Sequence, residues 1–275
     1  MSDGQWQLTG TSAELFERYL VPAITAKWAE DLLDRAQPRG GEAILDIACG
    51  TGIVARLAAK RMGRGLVTGL DLNAGMLNVA RSAPTEGAAI IWIEGSALVL
   101  PFPEKSFDLV LCQQGFQFFP DQRKALGEVW RVLKGRGRAI LSVYSRIERT
   151  PGANAFALAL DDVVGRDASR IKRGEHSFTD ATQLETLFRD SGFNTIALQT
   201  VEQTIEFPSV LDYVRFQLLA TPMTVLLRDQ TEPERAAIIS SIAARTIALS
   251  TPAMLEGGRF TFPQEAFVAI AQRYP

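Results

Sequence analysis

The sequence predicts an α/β protein in which a doubly wound, mostly parallel sheet of seven strands is covered by helices on both faces. The first observation is that short apolar runs of strand length alternate with segments of helical periodicity. These runs lie at 43–48, 66–70, 89–93, 107–112 and 138–143. The second observation is that the runs are apolar throughout, as in strands buried on both faces. Right-handed crossovers then place the helices on both faces of the sheet.

The helices complete this pattern. Residues 12–36 read as helical, with an interruption near Pro22, because apolar residues recur every four positions from Ile24 to Ala36. Further helices are predicted after 53, over 74–83, over 121–133 and over 153–164, and one is expected to begin at Thr179-Asp180. The last two strands are predicted at 193–200 and 262–271, and the helical stretch 208–250 between them, broken by Pro222 and Pro233, reads as an insert. We therefore expect one domain, 1–275, in three parts: 1–40, 41–150 and 151–275.

Composition excludes several classes of protein. The 275 residues carry 29 basic and 31 acidic side chains, so the basic excess of a protein that binds nucleic acid through phosphates is missing. Cys49 and Cys112 form no paired ligand motif, so neither a metal site nor a disulfide framework is expected. No run approaches the ~20 apolar residues of a membrane span, and the first 20 residues lack a signal-peptide core. We expect a soluble cytoplasmic protein, a monomer or a homodimer.

A glycine loop follows the first strand. Residues 50–55 fit G-x-G-x-x-G/A, and Asp71 ends the second strand about 20 residues later, where a carboxylate can bind ribose hydroxyls. The glycines let the backbone approach a ligand closely. By itself this pattern fits a nicotinamide-dependent oxidoreductase and an enzyme with an adenosyl cofactor equally well.

Asp46 separates these two cofactors. It lies four residues before Gly50, at the end of an otherwise apolar strand. A pyrophosphate at a helix N-terminus favours positive surroundings, and a carboxylate beside it would cost on the order of 1 kcal/mol or more. A sulfonium cofactor is cationic and is favoured by the same carboxylate. The alternative is a structural role, in which Asp46 accepts hydrogen bonds from the amides of the glycine loop.

In their order, the motifs over residues 43–145 resemble those of class I S-adenosylmethionine-dependent methyltransferases, and most resemble the type 11 domain of the ubiquinone and menaquinone biosynthesis group. The matching segments are Leu45-Asp46-Ile47-Ala48-Cys49-Gly50-Thr51-Gly52, Gly69-Leu70-Asp71-Leu72-Asn73 with Met76, Gly95-Ser96-Ala97, Leu100-Pro101-Phe102-Pro103 before Ser106-Phe107-Asp108-Leu109-Val110, and 126–137. The resemblance implies a Rossmann-like methyltransferase fold and methyl transfer from S-adenosylmethionine to a small-molecule acceptor, with S-adenosylhomocysteine as product. The three parts of the chain then become a helical cover, a cofactor-binding core and an acceptor side.

The resemblance also implies a role for each matching residue. Asp46 would lie near the methionine end of the cofactor and Asp71 would bind the ribose hydroxyls. The remaining cofactor-binding candidates are Ala48, Cys49, Gly50, Gly52 and Gln113 around the methionine portion, and Leu72, Met76, Ser96 and Ala97 around adenine. Ala48 stands where the family usually has glycine, and Ser96 where it often has aspartate, so we expect looser cofactor binding. These departures keep open a third interpretation, a non-catalytic module that binds the cofactor.

The acceptor side is less defined. Methyl transfer is a direct displacement, so a base is needed only if the acceptor must lose a proton first. The lone histidine, His176, and Tyr19 are weak catalytic candidates; a loop histidine is more often solvated. Expected acceptor walls are residues 6–28, 113–119, 146–178 and 208–250, where the glutamines of 113–119 could bind the acceptor and its phenylalanines either close the site or pack the core. No Asp/Asn-Pro-Pro-aromatic tetrapeptide follows the fourth strand, which disfavours methylation of nucleic-acid bases.

Overall fold

The N-terminal segment is one long helical unit, and its C-terminal part packs on one face of the sheet. The computed structural model describes residues 11–274, and the part of the predicted acceptor wall at 6–10 lies outside them. The unit consists of α1 (Thr11–Leu15), a π-helical stretch (Phe16–Thr25) and α2 (Ala26–Ala36). Pro22 does not interrupt it, because the chain widens there to π turns, with the amide of Ala26 bonded to the carbonyl of Val21.

The first half of the chain alternates strands and helices as predicted. The elements are β1 (Ala43–Ile47), α3 (Ile53–Met62), β2 (Leu66–Asp71), α4 (Ala74–Ser82), β3 (Ala89–Glu94), β4 (Phe107–Gln113), α5 (Gln122–Val132) and β5 (Leu133–Tyr144). Helix starts follow local capping chemistry: Asn73 caps α4 and Asp121 caps α5, each through a side-chain oxygen that accepts a backbone amide of the first turn.

The second half inserts helices before and between the last two strands. These elements are α6 (Pro151–Val163), α7 (Arg170–Gly174), α8 (Ala181–Asp190), β6 (Thr195–Phe207), α9 (Val210–Leu219), α10 (Glu232–Leu249) and β7 (Phe260–Gln272). The predicted start at Asp180 is a capping box with Gln183. Pro222 does end a helical segment, since a 3₁₀ turn begins there, whereas Pro233 lies in the first turn of α10, where proline is tolerated.

The sheet confirms the predicted fold class. Its strand order is β3-β2-β1-β4-β5-β7-β6. β7 runs antiparallel to both β5 and β6, while the pairs among β1–β5 are parallel. One apolar cluster packs α5 and α8 on one face, a second packs α2 and α3 on the other, and a third lies under α6, α9 and α10. Helices α6, α9 and α10 therefore build a separate apolar layer above the carboxyl ends of the strands.

Two loops at the carboxyl edge touch closely. A Cβ on Gly115, which follows β4, would lie 2.5 Å from Cβ of Ala48 after β1 and 3.3 Å from Sγ of Cys112. Gly115 has an ordinary φ of −107°, so its requirement for glycine is one of space. Ala48 has a φ of +55°, in the left-handed region that favours glycine. The absence of a side chain at 115 therefore compensates for the alanine at 48.

Replacing Gly115 by alanine should lower the free energy of unfolding by about 1–3 kcal/mol, the usual cost of overpacking. Adding Ala48→Gly to that variant removes the nearer contact and should restore more than half of the loss. Urea denaturation of the two variants measures both effects. Gly127→Ala is the control, because nothing lies within 4 Å of a Cβ built at that helical position. An equal loss with and without Ala48→Gly would contradict this account.

Candidate functional site

A cavity of about 690 Å³ opens at the carboxyl ends of four neighbouring strands, within the range of roughly 300–1,000 Å³ usual for ligand sites. Its wall contains the last residues of β1, β2, β4 and β5: Ile47, Asp71, Gln113 and Tyr144. Because β7 is antiparallel to β5, its early residues Phe262 and Gln264 lie at the same edge. This is where ligands bind in open α/β sheets.

The glycine loop forms one end of this cavity. Ala48, Cys49 and Gly50 line it, and Ala48 and Gly50 both have a φ of +55°. Gly52, with a φ of +87°, lies behind the loop and not in the cavity wall. A Cβ there would come 2.3 Å from the ring of Trp92, so Gly52 is needed for packing against β3. That its backbone contacts the ligand stays a prediction.

Two carboxylates lie beside the loop, Asp46 buried and Asp71 partly buried. Asp46 is 1% exposed, lines the cavity, and accepts the amide of Ala55 in the first turn of α3 at 3.1 Å. Burial raises the pKa of Asp46 well above its ordinary value, and the charge of Asp71 adds to the rise. The alternative in which Asp46 is a structural hydrogen-bond acceptor is therefore correct in part. The amide that Asp46 accepts belongs to the first turn of α3, and the Asp46 carboxylate also faces the cavity.

Asp71 ends β2 and shapes the loop from the opposite side. Its carboxylate accepts the amides of Gly50 at 2.7 Å and Asn73 at 2.8 Å. Burial raises the pKa of Asp71, while these backbone amides oppose the rise. The carboxylate lines the cavity at the position where the sequence predicts contact with a ribose.

The adenine candidates gather on one wall. Leu72, Met76, Ser96 and Ala97 all line the cavity, next to Asn73 and Gly95. Leu72 is 42% exposed, so its side chain is open to a ligand in the cavity. The hydroxyl oxygen of Ser96 accepts the amide of Leu98 at 3.2 Å. The wall is thus mainly apolar, as a flat heteroaromatic ligand requires.

The segment after β4 supplies amides that have no partner. Gln114 has a φ of +51°, and both of its side-chain amide atoms are buried without a hydrogen bond, as are both of Gln117. Both side chains line the cavity. Gln113 donates to the carbonyl of Thr25 at 3.1 Å, but its Oε1 has no partner. Buried polar groups are normally paired, so these amides are candidates for binding a ligand in the cavity.

The phenylalanines of the same segment divide between two roles. Phe116 is 1% exposed and belongs to the main core cluster, and Phe119 packs against that cluster. Phe118 and Phe119 line the cavity. One short turn therefore does both things that the sequence suggested as alternatives: Phe116 and Phe119 pack the core, and Phe118 and Phe119 wall the cavity.

Neither weak catalytic candidate lines the cavity. Tyr19 is half-buried and stacks on Phe216, with ring centroids 4.0 Å apart. His176 is 3% exposed, so its interpretation as a solvated loop residue is wrong. Its Nδ1 bonds to the carbonyl of Ser145 at 2.7 Å, and burial together with Lys172 lowers its pKa to about 3. A histidine with that pKa holds a proton poorly and is a weak base.

Several cavity residues could not be singled out from the sequence. Tyr144, Lys172, Glu175, Tyr213, Gln217 and Gln264 line the far end. Trp28 of the N-terminal cover donates to Gln264 at 2.8 Å, and Arg56 of α3 reaches Glu17 at 2.6 Å and the carbonyl of Thr51 at 2.6 Å. The cover is therefore tied to both ends of the cavity. The available signal is coarse: Lys172 and Glu175 fall within the predicted wall 146–178, and Tyr213 and Gln217 fall within the predicted wall 208–250.

Two further kinds of feature, a candidate metal site and a membrane-spanning helix, are not found among residues 11–274. No group of histidine, cysteine and acidic side chains there could hold a metal ion. No helix in the same range is long and apolar enough to cross a membrane.

The observed residues fit the predicted cofactor. Thr51 in the glycine loop has a buried hydroxyl without a partner that lines the cavity, and two carboxylates flank the loop where a cationic ligand would offset their burial. A pyrophosphate would be repelled by the same carboxylates. Residues 45–141 match the family model described as a methyltransferase domain.

Comparisons with known proteins agree with this site. The chain is 30% identical over 216 residues to the ubiquinone/menaquinone biosynthesis C-methyltransferase of Roseobacter denitrificans, covering 74% of this chain and 86% of the relative. It is 37% identical over 146 residues to the demethylmenaquinone methyltransferase of Thermus thermophilus, covering 53% and 64%. The fold matches that of Haemonchus contortus phosphoethanolamine N-methyltransferase 2, which was solved with phosphomonomethylethanolamine and S-adenosylhomocysteine. The TM-score is 0.56 and the sequence identity is 18%, and the match covers 97% of this chain and 61% of the neighbour.

The oxidoreductase interpretation and the non-catalytic interpretation are thereby set aside. The cofactor is S-adenosylmethionine, and the reaction is methyl transfer to a small-molecule acceptor. The chain belongs to the class I S-adenosylmethionine-dependent methyltransferases, in the family of the ubiquinone and menaquinone biosynthesis enzymes.

Proposed function

We propose that the protein methylates a carbon atom of a quinone-class ring compound. The observation that carries this proposal is the unpartnered amide pair of Gln114 and Gln117, which faces a cavity whose nearby walls are the aromatic rings of Phe118, Phe119 and Phe262. Such a chamber suits a flat apolar ring that bears a few hydrogen-bonding oxygens. Carbon methylation and the quinone class are what the name of the Roseobacter relative states for that protein.

The chain divides this work between its parts. In the proposal, residues 41–150 hold the cofactor, residues 151–275 and the turn after β4 hold the acceptor, and residues 1–40 cover both. When bound, S-adenosylmethionine supplies an activated methyl group. Asp71 binds its ribose hydroxyls, and Asp46 favours its cationic end. The ties of Glu17 to Arg56 and of Trp28 to Gln264 hold the cover closed and exclude water.

The remaining site residues have supporting roles in this proposal. Ala48, Cys49 and Gly50 bring backbone to the methionine portion, and Gln113 adjoins it. Leu72, Met76, Ser96 and Ala97 surround adenine. We also propose that the protein works in the cytoplasm as a monomer or homodimer and does not bind nucleic acid; the two buried free thiols and the balanced charge support this.

The acceptor is tested directly by transfer of a labelled methyl group from S-adenosylmethionine. We expect labelled product with demethylmenaquinone supplied in its reduced form, and none with phosphoethanolamine, whose chemistry matches the structural neighbour. Transfer to phosphoethanolamine without transfer to the quinone would overturn the proposed acceptor.

Asp71→Asn should weaken the binding of S-adenosylhomocysteine about 10- to 100-fold, because a hydrogen bond to a charged group contributes roughly 1.5–3 kcal/mol. Isothermal titration calorimetry measures the change. Asp108→Asn is the matched control, since Asp108 also accepts a backbone amide at a strand, from Ala43 at 2.9 Å, but does not line the cavity. Equal losses in both variants would assign Asp71 a purely structural role.

Gln114→Leu and Gln117→Leu should separate binding from stability. Each removes two buried amide atoms without partners, so the free energy of unfolding of the empty protein should rise by about 1 kcal/mol. The KM for the acceptor should rise at least tenfold, while affinity for S-adenosylhomocysteine stays within twofold. Denaturation, steady-state kinetics and calorimetry provide the readouts. The exposed Gln199 of β6, replaced by leucine, is the control; a fall in stability at 114 and 117 would argue for unrecognised partners.

A further inference from the structure

The charged side chains of the cavity wall form two groups. Asp46 and Asp71 belong to the glycine loop, and Lys172 and Glu175 lie in the segment at α7. Lys172 Nζ and Glu175 Oε2 are 2.6 Å apart, and the two side chains are only 6% and 14% exposed. Neither Lys172 nor Glu175 has a role in the cofactor and acceptor contacts of the proposed function.

The pair is surrounded by polar and aromatic groups from several elements. Burial raises the pKa values of Tyr144 on β5 and Tyr213 on α9, and the charge of Glu175 adds to both rises. Burial lowers the pKa of His176, and the charge of Lys172 lowers it further. Both tyrosines line the cavity. These three groups face the pair from different elements, so Lys172 and Glu175 lie in a shared ionisable environment at the acceptor end.

Burial makes this pair unlike the ion pairs on the surface. Lys60 and Glu86, for comparison, are 65% and 71% exposed. Taking two charges out of water costs several kcal/mol per ion, and a buried pair often stabilises a protein less than apolar residues would. An ammonium group has three donors, and one of them serves Glu175. The remaining donors lie in the wall of a ligand cavity.

We infer that Lys172 and Glu175 are the acid–base pair of the acceptor site, in which Glu175 accepts the proton of an acceptor hydroxyl and Lys172 holds the resulting oxyanion. This inference rests on the proposed function, because it needs an acceptor with an acidic hydroxyl. The net charge of the pair and the hydroxyl is zero before and after proton transfer. Lys172 exchanges a carboxylate partner for an oxyanion, so no unpaired charge becomes buried.

The O–H bond of the acceptor breaks, its proton goes to a carboxylate oxygen of Glu175, and its electron pair stays on the acceptor. A ring carbon conjugated to the oxyanion then takes the methyl group, and the electron pair of the broken carbon–sulfur bond remains on sulfur. The proton displaced from that ring carbon restores the hydroxyl through solvent, and Glu175 returns its own proton to solvent.

The test uses para-nitrophenol, whose ionised form absorbs visible light, with the full-length protein saturated with S-adenosylhomocysteine. In the wild type, bound nitrophenol should ionise at a lower pH than free nitrophenol. Lys172→Met should abolish that shift, and Lys172→Arg should keep it. Glu175→Gln should keep or enlarge it, because a competing negative charge is lost. Lys134→Met is the matched control, since Lys134 pairs with Asp108 at 2.7 Å outside the cavity.

Turnover supplies a second readout. Glu175→Gln should lower kcat about 100-fold with a weakly acidic hydroquinone, within the range usual for general base catalysis, and much less with an acidic phenol. Calorimetry with S-adenosylhomocysteine should give unchanged affinity in each variant, which also verifies folding. An unshifted ionisation in the wild type, or the same shift in Lys172→Met, would overturn the inference. A shift that depends on Lys172 without transfer to any quinone would instead overturn the proposed acceptor and support the pair.

Discussion

Two carboxylates at the ends of neighbouring strands, one buried and one partly buried, are the constraint around which the rest of the site is arranged. Asp46 and Asp71 end β1 and β2, whose register pairs Asp46 with Gly69. Burial raises the pKa of each, so each holds its proton more tightly in the folded chain. Their contribution to stability therefore falls as the pH rises above the ordinary carboxyl range. Backbone amides offset part of this cost, and a cationic ligand offsets more.

Those amides tie the carboxylates to the local backbone. Asp71 takes the amide of Gly50, which requires the loop to turn through the left-handed region, and Asp46 takes the amide of Ala55, which requires α3 to begin directly after the loop. Trp92 fills the space behind Gly52 and leaves no room for a side chain. The glycine pattern, the carboxylates and the cavity therefore depend on one another, and Ala48 is accommodated because Gly115 has no side chain.

This dependence explains what the sequence could predict. Strand ends, glycines and carboxylates recur at fixed spacing, so the fold class and the cofactor-side candidates Asp46, Asp71 and Met76 could be located on one edge of the sheet, where the structure brings them together. The acceptor side has no such spacing. Lys172 and Glu175 reach the cavity through α7, and Gln264 reaches it because β7 runs antiparallel. Such placements depend on tertiary packing. The burial of His176 could not be predicted for the same reason, because its ring stacks on Tyr144, which is distant in sequence.

The acceptor side also departs from the rule that buried polar atoms find partners within the protein. Gln114, Gln117 and Gln217 each leave amide atoms buried and unpartnered, and Gln114 does so from a left-handed backbone. Each unpaired group costs roughly 1–3 kcal/mol, and a left-handed non-glycine residue adds a further cost of the order of 1–3 kcal/mol. A chain that only needed to fold would place leucine at these positions. In the proposed function a ligand supplies the missing partners, and any ligand that binds the folded state in this way also stabilises it. The same side-chain amides then determine both the affinity for the acceptor and the free energy of unfolding.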